Sequence, residues 1–333
     1  MDTPSFSFEL FPPRTPEAAA NLPRVIGDLA SVRPDFFSIT HGAGGSDQDG
    51  TYETLLTVVE HAGVEVAPHL TCVGSTRAHV AALLRRYRDA GVKRIVALRG
   101  DLPSTASSPA APGEFHYASQ LVSFIRETHG DAFKIEVAAY PEMHPQACSP
   151  GADFDHFRRK VEAGADGALT QLFYNADAYF DFMERCGKAG IAIPVVPGIM
   201  PITSFANTQR FCNGCGADLP RWVRLRLEQL RDDKAALLDF GLEVVTRLCE
   251  TLLRNGAPGL HFYTINRAEP TLRLWKSLAL PSPLDAKRLE DETAAMHPDK
   301  IEAELASVLA NRGQVERRSA GRLVEGGVLP ALG

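Results

Sequence analysis

Eight short runs of strand-forming residues alternate with amphipathic helical segments, and no other feature of this chain limits its fold so tightly. The runs fall at residues 5–10, 36–40, 66–71, 94–98, 134–139, 167–173, 191–196 and 260–265. Most start about 30 residues apart, the span of a strand, its crossover helix and the loops between them. Parallel neighbours cannot be joined by a tight turn, so such a repeat builds a parallel sheet. Eight repeats match a closed (β/α)8 TIM barrel in the α/β class, with an open doubly wound sheet as the competing arrangement. Residues 76–90 show the helical pattern well. Val80, Leu83, Leu84 and Tyr87 form one apolar stripe, Arg85, Arg86 and Arg88 lie off it, and Gly91 ends it. Residues 153–163 and 176–189 behave alike, and an extra polar and helical insertion occupies 207–255. The barrel is expected over residues 1–280. A C-terminal helical extension is expected over 281–333, opened by the linker Pro281-Ser282-Pro283. Its helix spans 298–311, and the stripe Ile301, Leu305, Val308 and Leu309 suggests a packing role.

The first run, Ser7-Phe8-Glu9-Leu10-Phe11-Pro12-Pro13-Arg14, holds one acid in an apolar strand. Phe6, Phe8 and Leu10 alternate with Ser5, Ser7 and Glu9, and neither proline can donate to a strand ladder. Glu9 therefore ends the strand and faces away from the phenylalanines. A carboxylate there is either a salt-bridged barrel residue or a catalytic acid with a raised pKa.

Composition narrows the classes further. A chain of 333 residues with 44% hydrophobic and 23% charged content can bury a large core. A net charge of −6 without a basic run argues against nucleic acid as a partner. No apolar stretch is long enough for a membrane span, and the N-terminus lacks the parts of a signal peptide, so a cytoplasmic location is expected. The six cysteines form no disulfide framework. Cys212-Asn213-Gly214-Cys215 is a single CxxC without a second ligand pair, which reads as two reduced thiols in a loop and no metal site.

All eight strand ends are polar, and barrel enzymes draw their active-site groups from those ends. The first five offer Glu9, Thr40-His41, His69 with Thr71-Cys72, Arg99-Gly100-Asp101 and Tyr140 with Glu142 and His144. The last three offer Thr170-Gln171, Pro197-Gly198 and Thr264 through Arg267. Phosphate fingerprints are missing: Gly42-Ala43-Gly44-Gly45-Ser46-Asp47 fails GxGxxG at its last position, and nothing matches a P-loop. A dinucleotide would be held by side chains and helix N-termini. His156, Arg159 and Lys160, at i, i+3 and i+4, could supply such side chains or form a solvated basic face.

Taken in order, SFELFPPR, SITHGAGG, HLTC, VALRGDLP, VAAYPEMHP, LTQLFY, PGIMP and HFYTINRAEP closely resemble methylenetetrahydrofolate reductase of the short, bacterial type, from Phe6 to about Leu280. The resemblance implies a (β/α)8 barrel with non-covalent FAD at the strand C-termini. It implies reduction of 5,10-methylenetetrahydrofolate to 5-methyltetrahydrofolate with NADH or NADPH, by ping-pong hydride transfer through the flavin. It makes Glu9 the general acid and Asp101 an acidic residue near flavin and folate. Thr40, His69, Arg99, Asp101, Tyr140, His144, Asp153, His156, Arg159 and Lys160 would surround FAD, with Arg159 and Lys160 at the pyrophosphate. Gln171 would bind the pterin, Phe211 would stack on folate or nicotinamide, and Arg267 would bind substrate. His41 and His156 replace the family's usual Tyr and Asn while keeping hydrogen-bonding capacity. A homo-oligomer is a further family-level expectation. Two other readings share the motifs: a flavin-independent reductase with direct hydride transfer, and a folate- or flavin-binding protein without turnover.

Overall fold

Period-2 alternation in the first run puts Phe6, Phe8 and Leu10 on one face and Ser5, Ser7 and Glu9 on the other, and the fold uses both faces. The computed structural model describes residues 4–41, 48–100 and 113–280. In chain order the strands are β1 (Ser5–Leu10), β2 (Phe36–Ile39), β3 (Glu65–Thr71), β4 (Arg94–Leu98), β5 (Lys134–Ala139), β6 (Gly167–Thr170), β7 (Val195–Val196), β8 (Gly198–Ile199) and β9 (Gly259–Tyr263). They pair in parallel in the order β7-β6-β5-β4-β3-β2-β1-β9-β8. Strands β7 and β8 are two halves of one strand parted at Pro197, whose carbonyl accepts from the His261 amide at 2.9 Å. With β7 on β6 and β8 on β9, eight strand positions form a nearly closed ring. The doubly wound alternative is thereby set aside.

Two strands depart from the sequence expectation by more than two residues at an end, for one reason each. The sixth strand ends at Thr170 rather than 173, where the Gln171 side chain accepts from the Leu172 amide in place of a ladder partner. The seventh begins at Val195 rather than 191 and continues past Pro197, because Pro194 and Pro197 break the ladder on either side of Val195-Val196.

Helices start where a side-chain oxygen can cap them. Thr76 accepts from His79 N at 3.2 Å and opens α3 (Arg77–Asp89). Ser149 caps α5 (Pro150–Glu162) with Pro150 in the first turn, so this helix begins before Asp153. The insertion folds as α7 (Phe205–Cys215), α8 (Arg221–Gln229) and α9 (Lys234–Arg254). The CxxC therefore lies on the last turns of α7, not in a loop. Burial pushes the Cys212 thiol up to about 12 and keeps it protonated. Helices α1 (Pro16–Ala30) and α10 (Ala268–Ser277) flank the first and last strands. No helix among the described residues is long and apolar enough to cross a membrane.

The ring's outer face is the main core. Phe8 sits against Phe37, Phe262 and Trp275 with ring centroids 5.7 to 5.8 Å apart. Inside, the layers change from charged to apolar to polar. At the base, Arg94 pairs with Glu65 at 3.0 Å and Glu136 at 2.5 Å, and Gly167 leaves the space that Glu136 occupies. Phe36, Ala67, Val96 and Leu169 fill the middle. The end above them stays open. Residues 1–280 form a compact unit by themselves. The helix expected over 298–311 lies outside the described residues.

Candidate active site

Above the apolar layer, the inward side chains at the strand C-termini line a cavity of ≈ 700 Å³. Its wall includes Glu9, Thr40, His69, Tyr140, Gln171, Phe211 and Tyr263, drawn from five strands or their ends, the loop after β6 and helix α7. A second cavity of ≈ 360 Å³ shares Leu98, Ala138 and Tyr140 with it and is lined further by Arg99, His144, Asp153, His156 and Lys160. The sequence-predicted residues thus fall into two adjoining groups, one around Glu9 and one along α5.

Glu9 registers with Ser38 on one side and Tyr263 on the other. Its carboxylate Oε2 lies 3.5 Å from His69 Nε2 and 3.7 Å from His261 Nε2. Among the described residues no Lys or Arg pairs with it. Burial drives the His69 imidazole down to about 4, against the opposing pull of the Glu9 carboxylate, so the ring is neutral near pH 7. His69 Nε2 is also buried without a hydrogen-bond partner among the described residues. Such an orphan suits the polar edge of a ligand. Below Glu9, His261 is wholly buried, with Nδ1 at 2.7 Å from Ser7 Oγ and its ring stacked on Phe36.

Tyr263 donates its hydroxyl to the Thr170 carbonyl at 2.5 Å across the barrel mouth, and burial raises its pKa well above the usual phenol value. Gly198 makes this contact feasible: a Cβ there would run into both the Thr170 carbonyl and the Tyr263 hydroxyl. Gln171 uses its Oε1 on the Leu172 amide at 2.8 Å, leaving its NH2 group for the cavity it lines. Phe211 and Arg210 overhang from α7.

In the second cavity Lys160 donates to the Ala138 carbonyl at 2.5 Å, and burial lowers its ammonium to about 8. His156 stacks on Tyr117, and Arg99 donates to Gln146 at 2.5 Å. Asp153 accepts from the His144 amide at 3.0 Å and so braces the loop after β5. Two helix N-termini open onto this space, that of α5 and that of α4 (Ala118–His129).

Two predicted residues lie elsewhere. Arg159 is exposed and lines neither cavity: of the i, i+3, i+4 triplet only His156 and Lys160 turn inward. Arg267 is exposed at the N-cap of α10 and lines a neighbouring groove. Asp101 lies outside the described residues, as do Gly42 to Asp47. Conversely, sequence reasoning passed over His261 and Tyr263. The alternation of His261, Phe262 and Tyr263 in the last strand was the available signal, because it turns both rings inward.

Fold and site define an α/β barrel enzyme with its polar groups gathered at the strand C-termini. The chain matches the methylenetetrahydrofolate reductase family over residues 1–279. It is 39% identical over 274 residues to the 5,10-methylenetetrahydrofolate reductase of Salmonella typhimurium, covering 82% of this chain and 90% of that one. With the Escherichia coli enzyme of the same name it shares 38% over the same coverage. It shares 36% over 286 residues with methylenetetrahydrofolate reductase (NADH) 1 of Arabidopsis thaliana, of which it spans 48%. Among solved structures, a Clostridium thermocellum protein described as binding two copies of 5-methyl-5,6,7,8-tetrahydrofolic acid superposes with a TM-score of 0.61 at 16% identity, over 84% of this chain and 95% of that one, a likeness of fold. This chain belongs to the methylenetetrahydrofolate reductase family.

Proposed function

We propose that this enzyme reduces 5,10-methylenetetrahydrofolate to 5-methyltetrahydrofolate with electrons from NADH or NADPH, passed in turn through non-covalently bound FAD. Family membership supports the reaction, and the observation that carries its chemistry is Glu9, set in the barrel mouth beside a neutral imidazole. Opening the substrate's five-membered ring requires a proton on the departing nitrogen. Glu9 is the group to deliver it, because no permanent cation pairs with its carboxylate and His69, buried and neutral, adds no positive charge.

The chain's own residues fit FAD. The smaller cavity offers Lys160, Arg99 and two helix N-termini for the phosphates, where a glycine fingerprint is lacking. The larger offers flat apolar walls, Leu98, Ala138 and Leu169, with the orphaned His69 Nε2 as a polar contact. When bound, the flavin supplies a two-electron store that is filled from the nicotinamide and emptied onto the folate. Gln171 orients the pterin through its amide, and Phe211 covers the bound ring system from α7. Asp101 is proposed as the acidic residue near flavin and folate on the resemblance alone.

The test is a visible spectrum of the protein incubated with FAD and desalted, before and after anaerobic NADH. A retained flavin band that bleaches supports the proposal. A protein that retains no flavin yet reduces the folate transfers hydride directly.

A further inference from the structure

Three neighbouring strands carry buried polar side chains into the barrel below Glu9: Ser7 on β1, Ser38 on β2 and His261 on β9. Elsewhere in the ring the inward residues below the mouth are apolar, Ala67, Val96 and Leu169. A buried polar group costs stability unless it is paired, so a layer built for packing alone would be apolar throughout.

The pairing here is specific. His261 Nδ1 lies 2.7 Å from Ser7 Oγ, and Nε2 lies 3.3 Å from Ser38 Oγ and 3.7 Å from Glu9 Oε2. A neutral imidazole has one nitrogen that donates and one that accepts. Among the described residues the Ser7 hydroxyl has Nδ1 as its one hydrogen-bond partner, so its proton goes there and the ring proton falls to Nε2. That proton is aimed at Ser38 and at the carboxylate above it. Two rings keep the imidazole in this orientation: Phe36 is stacked on it with centroids 6.0 Å apart, and Tyr263 meets it edge-on at 5.5 Å. The Glu9 backbone is fixed as well, its carbonyl accepting from Thr264 Oγ1 at 2.6 Å. His261 lines neither cavity and is wholly buried, so it reaches a ligand only through Glu9.

We propose that His261 is a positioning residue for the acid: held as the Nε2–H tautomer by Ser7, it steadies the carboxylate that Glu9 becomes on giving up its proton. The inference rests on the reading of Glu9 as the general acid. When that proton passes to the departing nitrogen of the folate, the C–N bond breaks with its electron pair left on the nitrogen. A negative charge then stands on Glu9, with no Lys or Arg beside it among the described residues. A small turn of the Glu9 side chain brings Oε2 from 3.7 Å to hydrogen-bond distance of Nε2–H.

Two measurements on the holoenzyme test this. The first is the tautomer, read near neutral pH by 15N NMR of histidine-labelled protein, the His261 signals being those lost in His261→Gln. A protonated Nε2 and a bare Nδ1 are expected; the reverse, or a doubly protonated ring, overturns the proposal. The second follows both half-reactions in stopped flow. His261→Phe keeps a ring without an N–H, and Ser7→Ala frees the tautomer. Each should leave flavin reduction by NADH unchanged and slow flavin reoxidation by the folate roughly tenfold or more. His261→Gln returns an N–H near the Nε2 position and should recover most of that loss. A merely structural role predicts that both half-reactions fall together, or that Gln is no better than Phe, and either result overturns the proposal. So does an unchanged folate step in Ser7→Ala, the variant that carries the test should His261→Phe fail to fold. Glu9→Gln separates the two readings. If it reduces the folate at the wild-type rate, the acid reading itself falls; if it is inactive beside an unimpaired His261→Phe, only the role of His261 is refuted.

Discussion

At the residue scale, the surroundings of Glu9 decide what its carboxyl group can do. Among the described residues no Lys or Arg pairs with its carboxylate, whose Oε2 lies 3.5 Å from the His69 ring and 3.7 Å from the His261 ring. Glu9→Gln keeps the shape but cannot give up an acidic proton. We expect this variant to bind FAD and accept electrons from NADH normally, and to reduce the folate at least ~100-fold more slowly, as read by the two half-reactions in stopped flow. His69 has a second consequence, for stability. Its folded pKa, about 4, lies below the ordinary 6.5, so the unfolded chain takes up the proton first as pH falls. Stability is undiminished by this group above pH 6.5 and is lost between there and about 4, by about 3 kcal/mol in all. His69→Gln should flatten that loss, and urea midpoints at pH 7 and pH 4.5 for both proteins measure it.

At the element scale, close approaches between strand ends hold the mouth open to one shape. Gly198 lets the Tyr263 hydroxyl reach the Thr170 carbonyl, so Gly198→Ala forces two strands apart. A loss of about 3 kcal/mol in chemical denaturation, with weakened flavin retention, is the expected result. Asn266→Ala removes two bonds to the Phe11 backbone and leaves a strained turn unsupported, at a cost of about 2 kcal/mol by the same measurement. Much of this architecture could be read from the chain. The alternation of runs marked every strand position except the second half of the seventh, Thr76 and Gly91 marked the ends of α3, and the lone acid in the first strand marked a residue that lines the larger cavity. The proline-split seventh strand could not be read the same way, since two residues on each side of Pro197 carry too little periodicity. Nor could the outward turn of Arg159: spacing fixes which residues share a helical face, and only packing decides which part of that face meets the cavity. His261 and Tyr263 looked like ordinary members of a buried strand because a parallel barrel strand is apolar on both faces apart from its functional end.

At the scale of the whole molecule, the fold separates stability from chemistry along the barrel axis. The Glu65–Arg94–Glu136 cluster and the Phe36 layer close one end, and the described site residues gather at the other. The family match spans residues 1–279. We therefore expect truncation after Leu280 to leave flavin binding and turnover in place. Removing the apolar stripe of residues 298–311 should lower Tm; unchanged stability and assembly in a melting and sedimentation comparison would remove its packing role. The central claim, that Glu9 protonates the folate beside the flavin, is tested most directly by reducing the bound flavin of wild type and Glu9→Gln photochemically and mixing each with 5,10-methylenetetrahydrofolate under anaerobic conditions. The oxidised flavin spectrum should return rapidly in the wild type and almost not at all in the variant. Equal rates of reoxidation would contradict that claim.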